Sequence, residues 1–317
     1  MSATLSNYLT ITAIFILCTW AIYLPYRMGQ LHFMMIANMV ISAYLGALFS
    51  GAVVSGSQVQ EAINLNLHWP FILTLILGVV VSGLLGYLIS LAIGDAPCFA
   101  VVIVGFAFMY LTKAIAENTT ALGRTFGMFR VPRIVEGLSN SQNRLFLVCV
   151  CFFFVLLVGF WIYRFDKSKL GRAASSVFVD RDLAVSLGIN VKKMGSLLQT
   201  ASSALGGLAG VLYLYTLRAI SPSFITFHNV GLFMTMLFVG GYTTQWGPLL
   251  AVPILWGIPL IMPESLQVWK NVFYAVILIG ILMLKPEGVI TRPLLRRLNN
   301  LVFKRRLKPA GSGKNLS

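Results

Sequence analysis

The stretch FILTLILGVVVSGLLGYLISLAIG (residues 71–94) contains no charged side chain and is long enough to cross a lipid bilayer. A transmembrane helix needs about 20 consecutive apolar residues, and two more charge-free runs of similar length occupy 145–163 and 194–217. A transmembrane barrel would instead show short segments of alternating hydrophobicity. The sequence therefore predicts an all-α fold, a polytopic bundle of transmembrane helices.

The composition of the whole chain agrees with a membrane environment. Of its 317 residues, 58% are hydrophobic and 10% are charged, whereas soluble domains carry about 25% charged residues. The net charge of +15 would suggest nucleic acid in a soluble protein, but the basic residues concentrate at 164–193 and 285–308, beside apolar runs. Because basic flanks are the cytoplasmic bias of membrane proteins, we predict no nucleic-acid partner.

We predict nine spans, within a range of eight to ten. They cover 8–26, 31–55, 70–93, 98–116, 145–164, 194–217, 229–246, 248–262 and 271–285. The break GGYTTQWGP (240–248) divides a long uncharged segment, since paired glycines and a proline punctuate helices. We expect one transmembrane domain over 1–292, with a loop at 165–193, and a basic, disordered tail over 293–317.

The distribution of Lys and Arg predicts the orientation. If the C-terminus lies in the cytoplasm, nine spans place 17 basic residues inside: Arg27, seven within 164–193 and nine from Lys285 to Lys314. Seven basic residues then lie outside. Such an excess on the cytoplasmic side is usual for membrane proteins. We therefore expect the N-terminus outside and the C-terminus in the cytoplasm.

Catalytic and metal-binding patterns are not found in the sequence. The four Cys lie in apolar runs without metal-ligand spacing, the three His are scattered, and no G-x-x-x-x-G-K-[ST] loop occurs. We thus predict no catalytic residue, no metal and no cofactor bound by this chain. If transport is driven by ATP, a separate subunit must bind and hydrolyse the ATP.

The charged stretch GRAASSVFVDRDLAVSLGINVKK (171–193) separates two long apolar runs. Asp180 and Asp182 suit the start of a short helix, because carboxylates accept hydrogen bonds from free amides and favour the positive end of the helix dipole. Leu183 and Leu187 lie one turn apart. Ala184 and Gly188 form a small-residue ridge beside them, and Gly188 is a natural helix stop.

The next span carries SSALGGLAG (202–210), in which Ser203/Gly207 and Gly206/Gly210 have small-xxx-small spacing. Helices with this pattern pack backbone to backbone in membranes. We predict a helix-packing role for these four residues. A charged helix joined directly to a tightly packed span would relay a cytoplasmic movement into the membrane.

Polar side chains inside spans are costly in lipid and mark possible substrate paths. Asn38, Ser42 and Tyr44 of the second span are such candidates, and Asn38 and Ser42 share a face. A helix–helix hydrogen bond is an equally good interpretation of these residues as a substrate contact. No Asp or Glu lies deep within a predicted span.

Several motifs together resemble the LivM-type permeases of branched-chain amino acid ABC importers. They are GRAASSVFVDRDLAVSLGINVKKMGSLLQTASSALGGLAGVLY (171–213), SPSFITF (221–227), GGYTTQWGP, MLKPEGVI (283–290) and, more loosely, GQLHFMMIANMVISAYLGALF (29–49). In that family the loop corresponding to 171–190 holds a coupling helix that docks on the ATP-binding subunit. The resemblance therefore implies docking roles for Asp180, Asp182, Leu183, Ala184, Leu187 and Gly188.

The resemblance also implies partners and a location. These are a second, similar permease, two ABC ATPases that bind ATP and Mg, an external substrate-binding protein and a bacterial inner membrane. The expected cargo is a branched-chain or other apolar amino acid, or a small amide or carboxylate solute. Two alternatives stay open: an ion-coupled secondary transporter, which the lack of a buried carboxylate disfavours, and a non-transport membrane scaffold.

Overall fold

The structure, a computed structural model, describes residues 3–54, 68–134, 139–263, 269–285 and 288. Its helices are α1 Ala3–Tyr26, α2 Met34–Ser50, α3 Phe71–Ile93, α4 Cys98–Asn118, α5 Asn140–Lys167, α6 Lys169–Val179, α7 Arg181–Ser186, α8 Val191–Leu217, α9 Phe227–Gly240, α10 Trp246–Ile261 and α11 Lys270–Leu284. Three two-residue strands accompany them: β1 Val53–Val54, β2 Met128–Phe129 and β3 Ala219–Ile220. The predicted all-α bundle is confirmed, and the small sheet is an addition to it.

Each predicted span coincides with one apolar helix of the described chain. By length and composition, α1, α3, α4, α5 and α8 are able to cross a membrane, while α2, α9, α10 and α11 are shorter apolar helices. Four predicted bounds were wrong by five or six residues: the helix of the first span begins at Ala3, the second ends at Ser50, the fifth begins at Asn140 and the seventh ends at Gly240. The second span stops at Ser50 because Gly51 takes a left-handed conformation (φ 83°), and the fifth begins at Asn140, after a capping box built by Ser139 and Gln142. The predicted tail 293–317 lies outside the described residues.

The predicted break in GGYTTQWGP is present between α9 and α10. Gly240 and Gly247 cross so closely that a Cβ atom on Gly240 would lie 2.5 Å from the Gly247 carbonyl carbon. The indole of Trp20 in α1 donates a hydrogen bond to the Gln245 carbonyl oxygen (2.9 Å). This turn is therefore held inside the protein, where irregular backbone is tolerated at membrane depth.

The centre of the bundle is α8, which packs against α1, α2 and α3. Gly206 and Gly210 face α2, and a Cβ atom on Gly206 would lie 2.5 Å from the Met35 carbonyl oxygen. Ser203 and Gly207 face α3, and a Cβ atom on Gly207 would lie 2.7 Å from the Gly78 carbonyl oxygen. The two small-residue pairs thus contact two different helices.

Helix α3 carries a matching ridge that the sequence analysis did not single out. Gly78, Ser82 and Gly86 are spaced four residues apart, and Ser82 donates a hydrogen bond to the Asn38 carbonyl oxygen in α2 (3.2 Å). Gly86 meets Ser203 of α8. With small residues on both sides, the axes of α3 and α8 approach closely and gain van der Waals contact.

The helix ends form two distinct groups. At one end, which we call the sheet end, β1, β2 and β3 pair antiparallel in that order. The other end holds the segment 168–190, which we call the elbow, and is named the elbow end. There the side-chain amide of Gln30 donates to the Ala96 carbonyl oxygen (2.8 Å), and the Arg27 Nε atom lies 3.2 Å from the Asp166 Oδ1 atom. This grouping agrees with the predicted threading, in which successive spans run in opposite directions.

Gly210 offers a direct test of the central packing. A Cβ atom there would clash with the Met39 carbonyl oxygen and the Ser42 hydroxyl, whereas Gly280 of α11 has no atom within 4 Å of the equivalent position. We expect Gly210→Ala to destabilise the detergent-solubilised protein by about 1–3 kcal/mol through overpacking. Thermal unfolding measures the effect, and Gly280→Ala is the matched control. Equal melting temperatures for the two variants would contradict this packing.

Candidate coupling surface and its connections

The elbow, residues 168–190, joins α5 to α8 through three capped helix starts. The Ser168 hydroxyl accepts from the Gly171 amide (3.2 Å), the Asp180 carboxylate accepts from the Leu183 amide (3.0 Å), and the Asn190 side chain accepts from the Lys193 amide (2.9 Å). Each cap satisfies an amide that the helix itself leaves unpaired. The start of α7 at Asp180 agrees with the sequence analysis, as does its stop at Gly188 (φ 82°).

Helix α7 presents an apolar surface that the rest of the described chain leaves uncovered. Leu183 is 58% exposed, Leu187 71% and Val179, just before the helix, 84%. Asp180, Asp182 and Gly188 are also exposed. Large apolar side chains gathered on an exposed charged segment mark an interaction surface.

Ala184 has a different place from the other predicted docking residues. Its side chain is only 1% exposed and belongs to the core of the chain itself. The amide of Ile189 donates to the Ala184 carbonyl oxygen (3.1 Å), which folds the end of α7 back towards α8. Because Ala184 supports α7 from within, it is not part of the exposed surface.

Two contacts fix the elbow to the α3–α4 turn. The Arg181 guanidinium donates to the Asp95 carbonyl oxygen. Gly195 at the start of α8 lies against Gly94 with no room for a side chain. These contacts connect α7 and the start of α8 to the α3–α4 turn.

A buried ion pair, which the sequence analysis missed, connects α1 to the elbow. Arg27 and Asp166 lie 3.2 Å apart, with side-chain exposures of 9% and 16%. Tyr23 donates to the other Asp166 oxygen (2.6 Å), and Arg27 donates to the Ser175 hydroxyl of α6. The sequence did contain a sign that Arg27 needs a partner, since it is the only charged side chain among residues 1–60.

The three pathway candidates of α2 are all buried. The Asn38 amide group and the Tyr44 hydroxyl have no hydrogen-bond partner among the described residues. Ser42 donates to the Met39 carbonyl oxygen of its own helix (2.9 Å) and lies at the crossing with α8. In this structure all three side chains are therefore enclosed within the bundle.

The described residues contain no group of three or more His, Cys, Asp or Glu side chains placed to hold a metal ion. His32 is buried beneath the elbow end, where its Nδ1 atom lies 3.0 Å from the Ser202 hydroxyl of α8. This contact gives His32 a place in helix packing.

Comparison with known proteins adds a family match over most of the chain. The model for the family described as "Branched-chain amino acid transport system / permease component" matches residues 4–284. The chain is 28% identical, over 166 residues, to the high-affinity branched-chain amino acid transport system permease protein LivM of Escherichia coli strain K12. That alignment covers 50% of this chain and 38% of the relative.

Two further relatives give a similar result. LivM of Salmonella typhimurium is 28% identical over 49% of this chain and 37% of its own length. The probable branched-chain amino acid transport permease protein LivM of Methanocaldococcus jannaschii is 24% identical over 68% of each chain. The chain thus spans less than two fifths of the length of the two enterobacterial relatives. No solved structure matches it.

The ion pair of Arg27 and Asp166 generates a stability prediction. Arg27→Gln leaves a buried carboxylate without its partner, and such losses cost about 3–5 kcal/mol. The double variant Arg27→Gln/Asp166→Asn removes both charges and keeps an acceptor for Tyr23, so we expect it to recover most of the lost melting temperature. A double variant that is less stable than the single one would contradict the role of the pair.

Proposed function

The chain belongs to the family of permease components of branched-chain amino acid transport systems, and from that premise we propose that it is the membrane-spanning subunit of an ATP-driven ABC importer. The proposed cargo is a branched-chain or other apolar amino acid, or a related small amide or carboxylate solute. We propose that residues 1–292 form one permease domain and that 293–317 form a cytoplasmic tail.

The observation that carries this proposal is the uncovered surface of α7. Exposed Leu183 and Leu187 stand next to Asp180 and Asp182, on a segment too charged to lie in the hydrocarbon core. A partner protein with an apolar cleft and basic neighbours would cover both features. We propose an ABC ATPase as that partner, with Asp180, Asp182, Leu183, Leu187 and Gly188 as contacts and Ala184 as internal support.

The connections of the elbow support a mechanism for transmission. The movement of a docked ATPase would shift α7, and the close contact between Gly195 and Gly94 would carry that shift to α8 and the α3–α4 turn. Because α8 packs on α2 and α3 through small residues, it moves as part of a rigid unit. The spans would then open alternately towards the two sides of the membrane.

The family match supports a proposal for the remaining subunits. We propose a second permease, two ATPases that bind ATP and Mg, and an external binding protein that delivers the cargo. The bundle would lie in a bacterial inner membrane with its elbow end in the cytoplasm. The basic residues support that side, since seven lie within 164–193.

Docking is tested by co-purification with the ATPase subunit. We expect Leu183→Glu combined with Leu187→Glu to abolish recovery of the ATPase and ATP-dependent uptake, because two carboxylates would be buried against an apolar cleft. Trp269→Glu is the matched control, since Trp269 is 57% exposed and lies between the predicted spans 248–262 and 271–285. Full recovery of the ATPase with the double variant would refute the docking surface.

Orientation is tested by cysteine labelling in intact cells, using a chain in which the four native cysteines are replaced by Ala. Ser186→Cys in the elbow should react with a membrane-impermeant maleimide only after the cells are opened. Ser141→Cys, exposed at the sheet end, should react in intact cells. The reverse pattern would place the elbow outside and end the proposal.

A further inference from the structure

A recessed cavity of about 570 Å³ lies at the sheet end, between α1, α8, α9, α10 and the chain around β2 and β3. Its volume falls in the range of small-molecule sites, about 300–1,000 Å³. The lining is mainly aromatic, aliphatic or uncharged polar and includes Phe15, Ala219, Ser221, Asn229, Leu232 and Trp256. Among the described residues that line it, none is Asp, Glu, Lys or Arg.

One part of the cavity lining is apolar and buried. Phe15 and Leu232 are each 5% exposed and form its floor with Trp256. Phe15 packs edge-on against Trp256 (centroids 4.7 Å apart) and against Phe233 (5.1 Å), which fixes its ring in place. Phe15 lies about 18 Å along α1 from Ala3, at 1.5 Å per residue, which is about half the length of this 24-residue helix.

The shallow part of the cavity is polar. Ser221, Ser223 and Asn229 lie there, beside the first turn of α9. The side-chain amide of Asn229 donates to the Phe224 carbonyl oxygen (2.6 Å), and the backbone amide of Asn229 donates to the Thr226 hydroxyl (3.3 Å). These two hydrogen bonds hold the turn 221–227 in shape. This turn is the SPSFITF motif, which the coupling surface does not use.

We infer that this cavity is the access site through which the cargo enters this subunit. An amino acid would place its aliphatic side chain on the floor formed by Phe15, Leu232 and Trp256, and its ammonium and carboxylate groups at the polar rim of Ser221 and Asn229. The inference rests on the proposed function and adds the location of the site and the reason for its selectivity.

The lining explains why such a site would favour zwitterions with aliphatic side chains. A second charge on the cargo's side chain would be buried on the floor without a counter-charge, which is strongly unfavourable. A zwitterion keeps both charged groups at the rim, near hydroxyl and amide groups and water. Each additional methylene of the cargo's side chain then adds favourable contact with the aromatic walls, as in other apolar pockets.

Opposite changes of cavity size test the inference in proteoliposomes that contain the complete transporter. Leu232→Ala enlarges the floor and should raise the ratio of phenylalanine to leucine uptake by about tenfold, the lower end of what one methylene changes in an apolar pocket. Ala219→Ile narrows the wall and should lower the ratio of leucine to alanine uptake by a similar factor. Leu250→Ala, on the exposed side of α10, is the matched control.

Uptake ratios separate a change of selectivity from a loss of folded protein, because misfolding lowers the uptake of every cargo by the same factor. Unchanged ratios in transporting variants would overturn the inference and leave the proposed function intact. A wild-type complex without ATP-dependent uptake would instead overturn the proposed function.

A second measurement does not depend on transport. A diazirine analogue of leucine, photolysed with the wild-type complex, should label α9 within 228–232 or α10 near Trp256, and excess leucine should compete. Label that leucine does not displace would show occupation by lipid chains, and label confined to α3 or α4 would place the site elsewhere. Either result would overturn the inference.

Discussion

The close approach of α8 to α2 and α3 is the contact on which the rest of this bundle depends. In lipid the hydrophobic effect gives helices little reason to associate, so their packing relies on short-range contact. Gly206 and Gly210 meet the backbone of α2, while Ser203 and Gly207 meet α3. Small residues on both sides bring three helices into one rigid unit. Outside this unit, α4 and α5 expose much of their surface, whereas α1 is largely buried.

The elbow connects this rigid unit to an exposed apolar surface. Its exposed leucines are held on α7, and α7 is tied to α8 and to the α3–α4 turn through Arg181 and Gly195. The ion pair of Arg27 and Asp166 adds α1 to the same assembly. Because these connections converge at one end of the molecule, a single displacement there would reach the central helices together.

The two ends of the bundle are built differently. The cavity at the sheet end has an uncharged lining among the described residues and reaches Phe15, about midway along α1. Towards the elbow end, Trp20 contacts Gln245, Gly240 crosses Gly247, and a smaller cavity of about 180 Å³ lies beside Tyr26, Phe178 and Tyr242.

The sequence by itself determined the membrane class, the approximate spans, the start of α7 at Asp180 and its stop at Gly188, because apolar run length and capping chemistry are local properties. The small-residue pairs of α8 were also visible as a spacing, although only the packing showed that one pair meets α2 and the other α3. The tertiary structure alone decided the contacts between distant residues. Tyr23 and Asp166 are 143 positions apart, the strands have two residues each, and the cavity gathers side chains from Phe15 to Trp256. No local pattern encodes such neighbours, since they depend on how the helices pack against one another.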